Sequence, residues 1–386
     1  MRRIVITAAA ALTLFSLVAP SATAEEVVGG PLLAKKARTV QLGPGAEPLP
    51  EVFAKTWVLA DATTGAVLAA KGAHIQRAPA STLKSLTALT LLPRLDPEAT
   101  YRPTRKVTTI YGSRVGLIPG KPYTADELFY GLMLPSGNDA AIALAKMNGG
   151  VKDTVSQMNE VAASLQALDT TARNTSGLDA PGQLSSAYDL ALIARAGLAR
   201  PDFVKYTSTK SVPFPAKGRD NTKTIYNQNR LLTGGYKGAI GVKTGFTTNA
   251  GRTFVAAAQR NGTTLIVSLM GVKEQSAEAA RKLLDWGFAN ASKVTPIGTL
   301  VTPVGENKAA GAEPVIAVPA PETAEGDSAA SMANPTSTST AGISVWSWGW
   351  LALFLFAVVA AFMGLRNISR NRRGRHARSG RVRLER

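Results

Sequence analysis

The chain has 386 residues, with 44 Lys and Arg against 26 Asp and Glu, a formal net charge of +18, two His and no Cys. Without cysteine, a disulfide framework, a Cys-ligated metal and a thiol nucleophile are all excluded. The two histidines, His74 and His376, lie far apart in the sequence, which argues against a multi-His metal site. A hydrolytic site in this chain is therefore expected to use a base other than histidine and to hold no metal or other cofactor.

Both ends of the chain carry patterns that relate to membranes. Residues 1–24 join a basic start, an apolar stretch and a small-residue end, which is typical of a secretory signal peptide, with an uncleaved anchor as the alternative. Residues 344–365 carry no charge, begin with three tryptophans and are long enough to span a bilayer. The positive-inside rule then places the arginine-rich tail, residues 366–386, in the cytoplasm and the remainder outside the cell membrane. This topology accounts for the arginines without a nucleic-acid partner.

The rest of the chain divides by composition. Residues 25–50 contain Gly and Pro with weak periodicity and are interpreted as an extended leader. Residues 301–343 are rich in Ala, Pro, Ser and Thr and are interpreted as a linker that cannot build a core. Residues 51–300 remain, which is the size of one α/β domain.

The predicted elements of this domain run from strands through helices and back to strands. Residues 57–68 alternate like a hairpin around Thr64 and Gly65, and helical patterns dominate residues 81–200. Within them, residues 124–127 form a capping box, and serines 185 and 186 can cap a helix over residues 187–198. Strands follow at 238–244, 252–259 and 264–272, and then an amphipathic helix at 276–288. The pattern predicts one mainly antiparallel, five-stranded sheet flanked by helices.

Three short motifs can carry chemistry. Residues 81–84 (Ser-Thr-Leu-Lys) start an apolar helix, where the i,i+3 spacing lets Lys84 reach the Ser81 hydroxyl. A lysine activates a serine if burial and a second nearby cation lower its pKa. Residues 136–138 (Ser-Gly-Asn) precede another helix, and residues 243–245 (Lys-Thr-Gly) end a predicted strand, where Gly245 permits close approach of a ligand. Each motif alone is weak, because a capped helix or a strand end explains it equally well.

The three motifs together, in this order and in these elements, form the set of penicillin-binding proteins and serine β-lactamases. The chain resembles the D-alanyl-D-alanine carboxypeptidases among the low-molecular-mass penicillin-binding proteins. The resemblance covers roughly residues 50–290 and is carried by residues 79–87, 134–141, 177–183, 241–247 and 250–251. It implies a β-lactamase/transpeptidase-like α/β fold, peptidoglycan stem peptides ending in D-Ala-D-Ala as substrates, and β-lactams as inhibitors.

The resemblance also implies a role for each motif residue. Ser81 attacks the carbonyl of the penultimate D-Ala, with Lys84 as its base. Ser136 passes the proton to the leaving nitrogen, and Lys243 polarises that relay. Substrate contacts fall to the other four positions: Asn138 on the substrate amide, Thr244 on the terminal carboxylate, Gly245 through close approach, and the backbone N–H of Phe246 in the oxyanion hole.

The sequence departs from many relatives after the catalytic domain. Residues 291–302 are too few for a further β-rich domain, and a linker with a transmembrane helix stands where an amphipathic anchor is common. A β-lactamase is the nearest alternative, but it needs a deacylating base, and Asp179 is the one acid in residues 177–183. A catalytically inactive wall-binding module is the other, and transpeptidase or endopeptidase action stays open because all three reactions share the acyl-enzyme.

Overall fold

The computed structural model describes residues 27–217 and 221–305. The expected signal peptide, transmembrane helix and basic tail, and most of the linker, lie outside these residues. Among the helices that the structure describes, none is both long enough and apolar enough to cross a membrane.

An antiparallel sheet forms the centre of the described part. Its strand order is β11-β1-β3-β2-β10-β9-β8, and the short strand β12 pairs with β3. Two further pairs, β4 with β5 and β6 with β7, form separate two-stranded sheets. The strands are β1 (Arg38–Leu42), β2 (Thr56–Asp61), β3 (Ala66–Lys71), β4 (Thr100–Tyr101), β5 (Tyr123–Thr124), β6 (Ser211–Pro215), β7 (Thr222–Tyr226), β8 (Ala239–Thr247), β9 (Gly251–Arg260), β10 (Thr263–Val272), β11 (Val294–Thr295) and β12 (Gly298–Thr299).

Most helices lie between β3 and β8 in the sequence, and one follows β10. They are α1 (Lys84–Leu91), α2 (Arg105–Thr108), α3 (Ala125–Met133), α4 (Asn138–Met147), α5 (Val151–Ser164), α6 (Ala187–Leu198), α7 (Pro201–Ser208), α8 (Arg230–Thr233) and α9 (Ser276–Asn290). Short 3-10 helices occur at Pro31–Ala34, Ala80–Leu83 and Ala291–Lys293. The second of these runs directly into α1 and carries Ser81.

Local sequence chemistry explains where the main elements begin and turn. The hairpin of β2 and β3 is confirmed, and its turn is held by Asp61, whose carboxylate accepts the backbone N–H of Thr63 at 2.8 Å. The capping box at Thr124 is confirmed, with both reciprocal hydrogen bonds present at the start of α3. The Ser186 hydroxyl caps α6 by accepting the backbone N–H of Asp189 at 3.1 Å. These short-range signals are the ones that sequence patterns report best.

Apolar residues cover both faces of the sheet, because successive side chains of a strand point to opposite faces. On one face, Val58 and Ala60 of β2 join a core with α1, α3, α4 and α6. On the other face, Trp57 and Leu59 join a second core against α9. The sheet is therefore buried between two helical layers, which fits the expected α/β class.

The predicted count of five strands is wrong, because the central sheet has eight. The five long strands match the prediction, and the three additional ones are short. β11 and β12 have two residues each, and β1 has largely exposed side chains, so none has an alternating apolar pattern that a sequence reading would detect. β1 lies in the segment interpreted as an extended leader, and it pairs with β3 from Arg38 to Val40. That part of the segment belongs to the sheet.

Candidate active site

Ser81 and Lys84 lie one turn apart where the short 3-10 helix becomes α1. The Lys84 ammonium nitrogen, Nζ, lies 3.0 Å from Ser81 Oγ. It also lies 2.7 Å from Asn138 Oδ1 and 2.6 Å from the backbone carbonyl oxygen of Ser176. Lys84 is fully buried, whereas Ser81 is partly open to the cleft. Three segments distant in sequence therefore converge on one amine.

The electrostatic surroundings favour an uncharged Lys84. Burial lowers the pKa of Lys84 well below its ordinary value, the nearby Lys243 lowers it further, and Asp139 opposes both. Burial alone lowers the pKa of Lys243 to about 7. The site therefore holds two buried lysines that need not carry full charge at neutral pH.

Ser136 occupies the loop between α3 and α4 in a left-handed backbone conformation, with φ of 65°. Its hydroxyl is buried and has no hydrogen-bond partner among the described residues. The Lys243 ammonium donates to the backbone carbonyl of Thr244 at 3.0 Å. Within the described ranges Lys243 makes no hydrogen bond to Ser136, and its role in polarising the relay stays a prediction. A buried hydroxyl without a partner calls for an explanation, and a substrate group is one.

Asn138 connects the base to one wall of the cleft. Its side-chain carbonyl accepts from Lys84, and its amide donates to the Tyr111 backbone carbonyl at 2.8 Å. Its own backbone N–H donates to the Ser113 carbonyl at 2.8 Å. One amide N–H of Asn138 has no partner in these contacts and can face a substrate carbonyl, as the resemblance implies.

Asp139 is a structural residue that the sequence analysis left without a role. Its buried carboxylate accepts four backbone N–H groups at 2.8–3.0 Å: those of Val115, Gly116, Leu117 and Ala140. These bonds fix the backbone of residues 115–117 and thereby help to place the nearby Ser113 carbonyl, which accepts the Asn138 backbone N–H. The acid next to the Ser-Gly-Asn motif was the available signal, but three of its four partners lie more than twenty residues earlier in the sequence.

The Lys-Thr-Gly motif lies inside β8, which continues to Thr247, rather than at the end of the strand. A Cβ atom on Gly245 would lie 2.8 Å from the Ser81 backbone nitrogen and 3.0 Å from that of Thr82. The approach of a ligand at Gly245, which lines the cleft, stays a prediction, and the structure adds a second reason for a glycine here. The absent side chain lets the strand pass the backbone of the nucleophile itself.

A second glycine, Gly177 in the loop between α5 and α6, packs closely against the turn at Ala80 and Ser81. Gly177 has φ of +81°, and a Cβ atom there would overlap the Ala80 carbonyl. Ala80 itself has a positive φ of 51°. Asp179, in the same loop, is exposed and accepts a hydrogen bond from the Thr247 hydroxyl at 2.8 Å. The loop thus reaches β8 beside the cleft.

The site opens into a cleft of about 710 Å³. Ser81 and Ser136 line it together with Thr244, Gly245 and Phe246. Among the described residues, β8 is the last strand of the sheet, and its outer edge has no partner strand there. Phe246 is 66% exposed at this edge. Seven of the eight candidate site residues belong to the three sequence motifs, whose elements meet at this cleft. The eighth, Phe246, follows the third motif in β8 and also lines the cleft.

A separate group of titratable residues lies away from the cleft lining. His74, Asp169 and Asp189 place ligand-type atoms within 4.8 Å of one another. Both ring nitrogens of His74 are already engaged, with Asp169 Oδ2 at 2.8 Å and the Val28 carbonyl at 3.0 Å. Burial raises the pKa of Asp189 to about 7. These contacts describe an internal hydrogen-bonded cluster.

Comparison with known proteins places the chain in a family. A family model described as D-alanyl-D-alanine carboxypeptidase matches residues 44–274. D-alanyl-D-alanine carboxypeptidase DacB2 of Mycobacterium tuberculosis is 44% identical over 252 residues, which are 64% of this chain and 86% of that protein.

Solved structures agree with that match. A D-alanyl-D-alanine carboxypeptidase from Mycobacterium tuberculosis superposes with a TM-score of 0.64 at 42% identity, covering 68% of this chain and 100% of that one. A Streptomyces DD-transpeptidase gives a TM-score of 0.60 at 31% identity, covering 63% of this chain and 100% of that one. The chain therefore belongs to the D-alanyl-D-alanine carboxypeptidase family of serine peptidases.

Proposed function

We propose that the chain removes the terminal D-Ala from peptidoglycan stem pentapeptides through an acyl-enzyme formed on Ser81. The contacts of Lys84 carry this proposal. A neutral amine has two N–H groups and one lone pair, and Lys84 Nζ has three neighbours. The Asn138 and Ser176 oxygens can only accept the two N–H groups, which leaves the lone pair facing the Ser81 hydroxyl. The lowered pKa of Lys84 supplies the neutral form that such a base requires.

The proton then has to reach the leaving nitrogen. Ser136 is suited to this step because its buried hydroxyl lines the cleft and has no partner among the described residues. Lys243 is buried nearby and lowers the pKa of Lys84, so its charge acts on the same small volume. Thr244 lies at the cleft surface, where its hydroxyl can bind the terminal carboxylate. Asn138 can direct its remaining amide N–H to the substrate.

The developing oxyanion needs two donors near Ser81. The backbone N–H of Ser81 and that of Phe246, in the edge strand β8, are the candidates. Donors of this kind contribute about 3–4 kcal/mol each to transition-state stabilisation. Because only the backbone of Phe246 takes part, its exposed ring is free to contact the substrate chain. Water then hydrolyses the acyl-enzyme and releases a tetrapeptide stem.

The two alternatives find less support. A β-lactamase needs a base that activates water for deacylation, and the one acid of residues 177–183, Asp179, is exposed and bound to Thr247. An inactive wall-binding module does not explain why a buried lysine, Lys84, is held at hydrogen-bonding distance from Ser81 and Asn138, with a second buried lysine, Lys243, nearby. β-Lactams are expected to acylate Ser81 and act as inhibitors.

The cellular placement rests on the sequence alone. We propose that residues 1–24 direct export, that residues 344–365 anchor the chain in the cell membrane as a single pass, and that the catalytic domain lies outside. The apolar, uncharged stretch and the arginine-rich tail that follows it support this topology. The linker then gives the domain reach toward the wall.

The test measures the intact mass of the purified chain over time after mixing with penicillin, beside Ser81→Ala and a surface control, Ser156→Ala. An adduct that persists on the wild type and the control alone, together with D-Ala release from a diacyl-Lys-D-Ala-D-Ala peptide, is the expected result. An adduct that disappears as hydrolysed drug accumulates would support the β-lactamase. Folded protein without any adduct would overturn the mechanism.

A further inference from the structure

A second cavity lies on the part of the central sheet that is far from the catalytic cleft. It has a volume of about 490 Å³, and its lining consists of Arg38, Leu49, Glu51, Val52, Trp57 and Lys71. We call it the β1 cavity, because it lies over β1 and its neighbours β3 and β2. In the order of the sheet, β10 and β9 separate these strands from β8. Its volume is in the range of sites that hold small organic molecules.

The strand register brings two cations together on the sheet side of the β1 cavity. Arg38 of β1 lies directly opposite Lys71 of β3, and Lys71 lies directly opposite Trp57 of β2. Residues directly opposite in antiparallel strands share a face of the sheet, with their Cβ atoms about 4.5–5.5 Å apart. This face is the one that packs against α9, because Trp57 belongs to that core. Like charges placed opposite each other destabilise a sheet, and a bound anion would remove that cost.

No protein carboxylate neutralises these two cations among the residues that the structure describes. Arg38 is exposed, and its guanidinium makes no hydrogen bond or ion pair within the described ranges. The Lys71 ammonium donates to the Ala54 backbone carbonyl at 3.1 Å, which holds the amine in place without cancelling its charge. An ammonium has three N–H groups and a guanidinium has five. Donors therefore remain on both side chains, and phosphate is an anion that both of these groups bind.

The opposite wall of the β1 cavity is the segment that precedes β2. Leu49 and Val52 bury their side chains in the core against α9. The backbone N–H of Glu47 donates to Asn290 Oδ1 at 2.8 Å, and its carbonyl accepts the Trp286 indole N–H at 2.9 Å. The wall is thus fixed by α9 before any ligand arrives, and a preformed site binds with a smaller loss of conformational entropy.

Glu51 is the one acid among the described residues of the lining, and it is exposed. Its carboxylate forms no ion pair with either cation of the cavity, since no such contact lies within 4.0 Å in the described part of the chain. A carboxylate in this position can accept hydrogen bonds from hydroxyl groups of a ligand. The β1 cavity therefore combines donors for an anion, an acceptor for hydroxyl groups and an apolar base.

We propose that the β1 cavity is a binding site for a sugar phosphate. The phosphate group binds Arg38 and Lys71, a sugar hydroxyl donates to Glu51, and the carbon skeleton lies against the apolar side chains of the lining. A free sugar phosphate and a phosphodiester-linked sugar of a polymer present the same groups. The site takes no part in the acyl-enzyme reaction, so the inference does not depend on the proposed function.

The experiment titrates the purified full chain by calorimetry with glucose 1-phosphate, inorganic phosphate and glucose. We expect glucose 1-phosphate to bind more tightly than inorganic phosphate, because it alone also reaches Glu51 and the apolar base. Glucose should bind most weakly, because it lacks the anion. A methyl phosphodiester of glucose separates the two sources. Equal binding of the diester fits a polymer-linked sugar, preference for the monoester fits a free sugar phosphate, and either result supports the site.

Variants assign the binding to the β1 cavity. Arg38→Ala and Lys71→Met should each weaken both phosphate probes roughly tenfold, the effect of losing a hydrogen bond between charged groups. Glu51→Gln should lower the preference for glucose 1-phosphate over inorganic phosphate, because a neutral amide is a weaker acceptor for the sugar hydroxyl. Arg105→Ala is the matched control: it removes an exposed arginine of α2, outside the cavity lining, and should leave both affinities unchanged.

The inference fails if neither phosphate probe binds the folded wild type, or if Arg38→Ala and Lys71→Met leave the affinities unchanged. It also fails if inorganic phosphate and glucose 1-phosphate bind equally, since the cavity then recognises no sugar. D-Ala release should be unchanged in every variant and so reports that each is folded. If Lys71→Met loses this activity, the exposed residues Arg38 and Glu51 decide the outcome. Absence of D-Ala release in the wild type would bear on the proposed function alone.

Discussion

Gly245 is the position where β8 passes the backbone of the nucleophile, and Gly245→Ala tests whether that contact places Ser81. The added Cβ atom would lie 2.8 Å from the Ser81 nitrogen, whereas ordinary contacts begin at 3.4 Å. The Cβ atom would also lie 2.4 Å from Thr253 Oγ1, so the strand, the turn or the Thr253 side chain must shift by about 0.6–1.0 Å. Displacements of ~1 Å cost on the order of 100-fold in rate. We expect the acylation rate constant with a fluorescent penicillin to fall on the order of 10-fold to 100-fold. Overpacking should also lower the free energy of unfolding by about 1–3 kcal/mol.

A matched glycine separates loss of stability from loss of geometry. Gly262 lies in the β9–β10 turn, at the other end of β9 from Thr253, with φ of +81° and no atom within 4 Å of an added Cβ. Gly262→Ala should cost about 1–2 kcal/mol of stability through its backbone conformation and leave acylation unchanged. If Gly245→Ala acylated within about twofold of the wild type, close passage of β8 would not be what positions the nucleophile.

Three further predictions concern charge and capping. The pKa of Lys243 is about 7 in the fold against 10.5 ordinarily, so between these pH values the unfolded chain binds more protons and the stability of the wild type rises with pH. Lys243→Met should lose this rise in denaturant titrations at pH 7 and 10. Because Lys243 lowers the pKa of Lys84, the acid limb of the acylation pH profile should also move to higher pH in this variant. Asp179→Asn should leave the lifetime of the penicillin adduct unchanged, because Thr247 already holds this exposed carboxylate; a longer lifetime would identify it as a deacylating base. Ser186→Ala should lower the free energy of unfolding by about 1 kcal/mol through loss of the α6 cap, and an effect no larger than that of exposed Ser156→Ala would contradict this role.

The features that sequence predicted well are those set by neighbouring residues. The contact of Ser81 with Lys84 follows from one helical turn, and the start of α6 follows from the Ser186 cap. The long strands β8, β9 and β10 follow from their apolar runs and the turn at Asn261 and Gly262. In each case the determining interaction spans only a few positions in the sequence, so the pattern contains it.

The features that sequence missed depend on distant segments. Asp139 acts through backbone groups of residues 115–117, and Gly177 acts through the Ala80 carbonyl, so neither role can be read from its own neighbourhood. The packing of Gly245 against the backbone of Ser81 was missed because the neighbour of this strand could not be known before the fold. β1 was also missed, because it is a strand through its pairing with β3 and not through an apolar pattern of its own side chains.

The convergence of segments on Ser81 also determines when the serine can react. The partners of Lys84 lie 54 and 92 positions away, and the Thr253 hydroxyl holds the Pro79 carbonyl across 174 positions. An unfolded chain brings none of them together, and contacts of such long sequence separation form late and slowly. The serine therefore becomes nucleophilic only in molecules that have completed the domain. Penicillin labelling would accordingly count the correctly folded molecules in a refolding mixture. During synthesis, before the domain has folded, Ser81 would not react with substrates or penicillin.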